Sequence, residues 1–225
     1  MLQNSTLQFL NNLAEHNDRT WFEANKVAYQ AAKEDFEVFV GKLLHQMAGH
    51  DARYNDLLAK DCIFRIFRDV RFSKDKSPYK PNFGAAINPN GRKMLGAGFY
   101  FHLEPNGKSF IGGGMWMPEA PILKNIRQEI DYNFDEFKQI IEEKNFKKFY
   151  PRIEGESLKK APKEYTPENP AIEYLKKKSF TVGYNIKNDA DLLDKKLVQD
   201  LEKKLVVMQP FIDFLNRALD KQPNT

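Results

Sequence analysis

Apolar residues recur at helical spacing at the start of the chain. Leu7, Leu10, Leu13 and Ala14 follow a Ser5/Gln8 capping box, which predicts a first helix ending near Glu15. A second capping box, Thr20/Glu23, predicts a longer helix to about Met47 with Tyr29, Ala32, Phe36, Val40, Leu43 and Met47 on one stripe. Trp21 and Phe22 would anchor that helix pair to the core. From residue 62 to 72 the period changes. Phe64, Ile66, Val70 and Phe72 alternate with polar neighbours, which predicts a half-buried strand with a bulge or end near Asp69.

AGFYFHLE and KSFIGGG (residues 97 to 114) flank Pro105-Asn106-Gly107, the clearest hairpin in the chain. Pro105 suits the second position of a type I turn, with Gly107 left-handed after it. That register sets Glu104 against Lys108, His102 against Phe110 and Tyr100 against Gly112, so aromatic rings would fold over the glycines. Pro118 and Pro121 bracket a helix start, and Ile122, Ile126 and Ile130 mark its face. Phe134, Phe137, Ile140 and Ile141 mark another helix. Residues 155 to 170 are rich in Pro and Lys and predict an irregular segment, followed by a short helix at 171 to 177. Residues 179 to 186 predict an edge strand. Leu193, Leu197, Leu201, Leu205, Met208, Ile212, Leu215 and Leu219 predict a long amphipathic helix kinked at Pro210. Residues 221 to 225 read as a frayed tail.

These elements predict an α+β fold: one domain over residues 1 to 220, with an antiparallel sheet and its glycine-rich hairpin packed by N- and C-terminal helices. A hydrophobic content of 41% and an aromatic content of 13% support a sizeable core. The start of the chain lacks a signal-peptide pattern and no window is apolar enough to span a membrane, so a cytoplasmic protein is expected. Cys62 stands alone, which excludes an intramolecular disulfide and suits a small buried hydrophobe.

Charge changes this picture at one place. Residues 63 to 80 hold Arg65, Arg68, Arg71, Lys74, Lys76 and Lys80 against Asp69 and Asp75, a local excess equal to the whole chain's net +4. Guanidinium groups among aromatic rings suit a bidentate grip on phosphate or carboxylate. The same residues, paired with carboxylates, would also suit the solvated face of a sheet. Asp69 reads as an orienting partner for an arginine. Tyr79 lies among lysines that would acidify its phenol, or else it is a buried ring bonded at its tip.

Arg65, Arg68, Asp69, Arg71, Phe72, Lys76 and Tyr79 form R-x-x-R-D-x-R-F followed by K-x-x-Y, seven fixed positions within fifteen residues. This string resembles the signature of a bacterial family, domain of unknown function 2461. The resemblance extends to the chain length, the hairpin and the helix from Leu123 to Ile130. It implies that these positions matter and brings no established activity with it.

The leading expectation is therefore a pocket for a phosphorylated or carboxylated small molecule, with Arg65, Arg68, Asp69, Arg71, Lys76 and Tyr79 as ligand-binding residues. If the protein is an enzyme, His102 or Tyr79 is the candidate proton carrier. A nucleic-acid-binding protein, with rings stacking on bases, and a protein-interaction scaffold are the rivals. No HExxH, Cys/His or nucleotide-loop pattern occurs, so the sequence specifies no metal and no cofactor, and it specifies no oligomeric state.

Overall fold

The computed structural model describes residues 1–89, 91–93 and 95–220, with the side chain of Asp220 excepted; the predicted frayed tail lies outside the described residues. The fold is α+β, with an antiparallel four-stranded sheet in the order β1-β2-β3-β4. In chain order the elements are α1 (Asn4–Glu15), α2 (Arg19–Ala24), α3 (Lys26–Ala48) and α4 (Ala59–Cys62). Next come β1 (Phe83–Ile87), β2 (Gly98–Leu103), β3 (Ser109–Met115), α5 (Ala120–Tyr132), α6 (Phe134–Glu142) and α7 (Lys144–Phe149). The chain closes with α8 (Ile172–Leu175), β4 (Phe180–Ile186), α9 (Asp189–Leu192) and α10 (Leu197–Asp220), with Pro210 inside the last helix. No helix among the described residues is long and apolar enough to cross a membrane.

The chain divides into two compact units, Met1–Lys93 with Tyr100–Ile111 and Asn185–Lys203, and Met94–Phe99 with Gly112–Tyr184 and Lys204–Thr225. In the first, Phe36 of α3 is fully buried and stacks on Phe83 of β1 at 5.2 Å and on Phe101 of β2 at 6.1 Å. In the second, Phe137, Phe146, Phe211 and Phe214 form an aromatic core between α6, α7 and α10.

Neither predicted capping box forms. The α1 start is held from outside by Asp35 of α3, whose Oδ2 accepts from the Gln3 backbone N–H (2.9 Å) and the Thr6 hydroxyl (2.6 Å). Asp18 caps α2 through the Trp21 N–H, and Asn25 separates α2 from α3 where one continuous helix was expected. The Asp35 carboxylate thus ties down the N-cap backbone N–H and a first-turn hydroxyl from a neighbouring helix, different donors from those a local Ser would take. Asp35→Ala is expected to cost about 1–2 kcal/mol in urea unfolding, because one substitution frees both donors. A loss under ~0.5 kcal/mol would show that water replaces the carboxylate without penalty.

The hairpin pairs as expected, with His102 and Phe110 stacked at 4.8 Å and Lys108 Nζ 3.0 Å from Glu104. Its turn differs. Asn106 and Gly107 have φ of 66° and 71°, so both are left-handed, where the expected type I turn has Gly107 alone in that region. The two backbone N–H groups that this turn aligns both donate to the Asp189 carboxylate, at 2.7 and 3.0 Å. The glycines of β3 also have other neighbours than the expected rings. Added Cβ atoms would meet the Val182 carbonyl at Gly112, Met208 and Ile212 at Gly113, and the Phe180 carbonyl at Gly114.

Candidate functional site

Residues 63 to 72 are not a regular strand. The segment makes isolated antiparallel bridges, Ile63 to Ala85 and Phe67 to Tyr79. Phe64 N–H donates to the Gly84 carbonyl at 2.9 Å, Lys80 N–H to Ile66 at 2.8 Å and Arg68 N–H to Pro78 at 2.9 Å. Residues 63 to 68 thus run beside 78 to 85, and 69 to 77 form the loop joining them. Ile63 and Ile66 take the buried positions, whereas Phe64 is half-buried and Phe72 is 95% exposed. Alternation predicts a strand only where one face stays covered, and beyond Val70 nothing covers Phe72.

The three arginines go to different partners. Arg71 lies in a bidentate pair with Asp69, Nε at 2.9 Å and Nη2 at 2.6 Å, and Asp69 is thereby the orienting carboxylate that was expected. Hydrogen bonds from Arg71 hold the Asp69 carboxyl below its usual range. Arg68 pairs with Asp75, which also accepts from the Ser77 N–H and hydroxyl; those Ser77 bonds, then Arg68, depress its pKa. Lys76 Nζ donates to the Val70 carbonyl at 2.9 Å. These contacts tie the loop to itself. Arg65 makes no ion pair among the described residues, and its charge acts on both the Asp69 carboxylate and Lys80.

Tyr79 is an interior residue, 4% exposed, with its ring stacked on Phe22 at 3.9 Å and its backbone bonded twice to the Asn17 side chain. Burial, reinforced by Glu23, pushes its phenol pKa up. Of the two alternatives for Tyr79, the ring is the buried one, and burial outweighs the Arg19 and Lys26 charges that would acidify it. Cys62, the other inward-facing titratable group nearby, is fully buried, and burial pushes its thiol up to about 12.

Two recesses flank Phe64 and Arg65. The larger, about 460 Å³, adds Lys33, Lys60 and Arg92, with Glu37 as its carboxylate. Arg92 donates to the Lys60 and Ile63 carbonyls at 2.7 and 3.0 Å, which fixes the start of the segment. The smaller, about 220 Å³, is lined by Phe64, Arg65, Lys80, Asn82, Gly84 and Tyr100, with no carboxylate. Lys80 Nζ donates to the Arg65 carbonyl at 2.7 Å and lies 5.8 Å from the Phe64 ring. Partial burial, then the Arg65 charge, lower the Lys80 pKa. Two cations in a recess whose wall holds no carboxylate favour an incoming anion, although the Arg65 charge also acts on Asp69 outside it.

The family model described as "Conserved hypothetical protein (DUF2461)" matches residues 5–214. The chain belongs to the DUF2461 family. No curated protein and no solved structure matches it. In this DUF2461 chain Arg68, Asp69, Arg71 and Lys76 close a loop, and Tyr79 fills the interior beneath it.

The face of β2 beyond this recess carries residues that charge counting passed over. Tyr100, His102 and Glu104 alternate on one side while Phe99, Phe101 and Leu103 are fully buried on the other. Tyr100 Oη lies 3.4 Å from His102 Nδ1, and His102 Nε2 lies 3.0 Å from Glu104 Oε2. Burial would raise the Glu104 pKa, but hydrogen bonds from His102 and Lys108 outweigh it and hold the carboxyl low. The sequence did contain the signal: period-two polar residues interrupting an aromatic strand, Y-x-H-x-E.

Proposed function

We propose that this DUF2461 protein binds a small molecule through a phosphate or carboxylate held by Arg65 and Lys80. The observation that carries this reading is the recess of about 220 Å³ with two cations and no carboxylate in its wall. Arg65 supplies a planar fork and Lys80 a point charge, a pairing suited to an anion that is gripped on one edge. Phe64 and Asn82 offer an apolar wall and an amide for the rest of the ligand. Arg68, Asp69, Arg71, Lys76 and Tyr79 act on this site through the loop and the packing that carry Arg65 and Lys80.

The test is calorimetric titration with inorganic phosphate, pyrophosphate and citrate. Arg65→Met and Lys80→Met are each expected to weaken binding about tenfold or more, about 1.4 kcal/mol. Arg71→Met, whose partner is Asp69, is expected to change affinity less than about twofold. A parent protein that binds none of the three, or an Arg71→Met loss as large as that of Arg65→Met, would sink the reading.

A second reading, nucleic-acid binding, draws on the exposed Phe72 with Arg71 5.9 Å over its ring and Lys74 exposed beside it. It requires oligonucleotide affinity that falls steeply with salt and disappears in Phe72→Ala. Undetectable binding to mixed oligonucleotides at low salt removes it.

A further inference from the structure

We propose that Tyr100 is the proton-transferring residue of the Arg65–Lys80 recess, with His102 and Glu104 positioning and recharging it. The recess would then be an acid–base catalytic site acting on its anionic ligand rather than a passive binding site. The inference rests on the anion-binding reading above.

Three placements support it. First, Tyr100 lines the recess together with Arg65 and Lys80, so a ligand held by the two cations lies against the phenol. Second, Gly84 of β1 leaves the space that the phenol occupies. A Cβ there would collide with the Tyr100 hydroxyl and lie 3.0 Å from Cζ and 3.1 Å from Cε2. Third, the phenol has a base behind it. With the Glu104 carboxylate, held low by its hydrogen bonds, accepting from His102 Nε2–H, the Nδ1 lone pair faces Tyr100 Oη. The separation of 3.4 Å suits a relay that tightens when a ligand closes the recess.

The step is a balanced proton abstraction. A proton on the bound anion passes to Tyr100 Oη as the phenol's own proton passes to His102 Nδ1. The electron pair of the broken bond stays on the ligand, where Arg65 and Lys80 face it. His102 becomes an imidazolium opposite the Glu104 carboxylate, which keeps its charge throughout. The groups around His102 are Tyr100 and Glu104, with Lys108 beyond Glu104 and Phe110 covering the ring face. The substrate class is a small phosphorylated or carboxylated molecule with an acidic proton near the anionic group. Burial raises the Tyr100 pKa, so the phenol rests protonated.

The experiment is long-range ¹H–¹⁵N correlation NMR of the four histidine rings, assigned with single His→Gln variants, with inorganic phosphate as the probe. Each variant is read at a phosphate concentration that saturates it by calorimetry. The His102 Nδ1 resonance is expected to move on phosphate binding. Tyr100→Phe should shift the free-state Nδ1 resonance and abolish the phosphate response. Gly84→Ala, which displaces the phenol while retaining it, should do the same. Phosphate that binds without moving His102 Nδ1, or moves it equally in Tyr100→Phe, overturns the relay and leaves the binding site standing. A parent that does not bind phosphate refutes the binding reading itself. If Gly84→Ala fails to fold, Tyr100→Phe alone decides, because it removes one oxygen and no packing.

Discussion

Gly114→Ala is expected to lower the unfolding free energy by about 3–5 kcal/mol, the largest loss foreseen for a single added methyl group here. Two independent penalties add. Gly114 sits at φ 122°, where an L side chain is strained. Its added Cβ would overlap the Phe180 carbonyl oxygen and lie 2.9 Å from the Phe180 carbonyl carbon and the Thr181 Cα. Those are backbone atoms of β4, so relief requires β3 and β4 to part. Gly41→Ala is the matched control. It lies inside α3 with its nearest neighbour, Ala59 Cβ, at 4.0 Å, and should stabilise by about 0.5–1 kcal/mol through helix propensity. Urea titration followed by fluorescence measures both. A Gly114→Ala loss below ~1 kcal/mol would mean that the β3–β4 pairing yields easily.

Phe36→Ala should cost about 3–5 kcal/mol, the usual range for removing a fully buried ring. Phe36 has no exposed surface and its stacks on Phe83 and Phe101 join α3 to β1 and β2. Those two strands carry Gly84 and Tyr100 on their opposite side, so the cavity should also blunt phosphate affinity at the recess. The two tryptophans make the readout local: Trp21 belongs to the first compact unit and Trp116 to the second. In Trp116→Phe protein, where Trp21 is the probe, Phe36→Ala should lower the urea midpoint. A Trp21→Phe counterpart reads Trp116, and coincident transitions of the two proteins would support the single-domain expectation from sequence, whereas separated ones would refute it. An unchanged Trp21 midpoint would show that the aromatic stack is not what secures these strands.

Most of the secondary structure was legible because it is written in periodicity. The stripe from Ala32 to Met47, the leucine run of α10 and the strand at 180 to 186 all recur at the spacing of their element. Helix starts were legible in position and not in mechanism, since Asp35 lies twenty-nine residues from Thr6 and no local pattern reveals such a cap. The segment at 63 to 72 misled for a related reason. Its alternation was genuine, but partner strands are assigned by tertiary pairing, and it received only single bridges. The site was partly legible. Arg65 stood out through charge, and so did Arg68 and Arg71, which their own neighbours Asp75 and Asp69 neutralise. Gly84 and Tyr100 were missed because a glycine beneath a phenol is a relation between two strands, invisible in either one.

The self-contained pairing within residues 68 to 76 implies that the most conspicuous letters of the chain are a hinge-pin for one arginine and one lysine. If the proposed recess holds the ligand, preference is set at positions 64, 65, 80, 82, 84 and 100, scattered over thirty-seven residues. Exchanging those six between two DUF2461 chains, while leaving 68 to 76 untouched, is the swap expected to carry it.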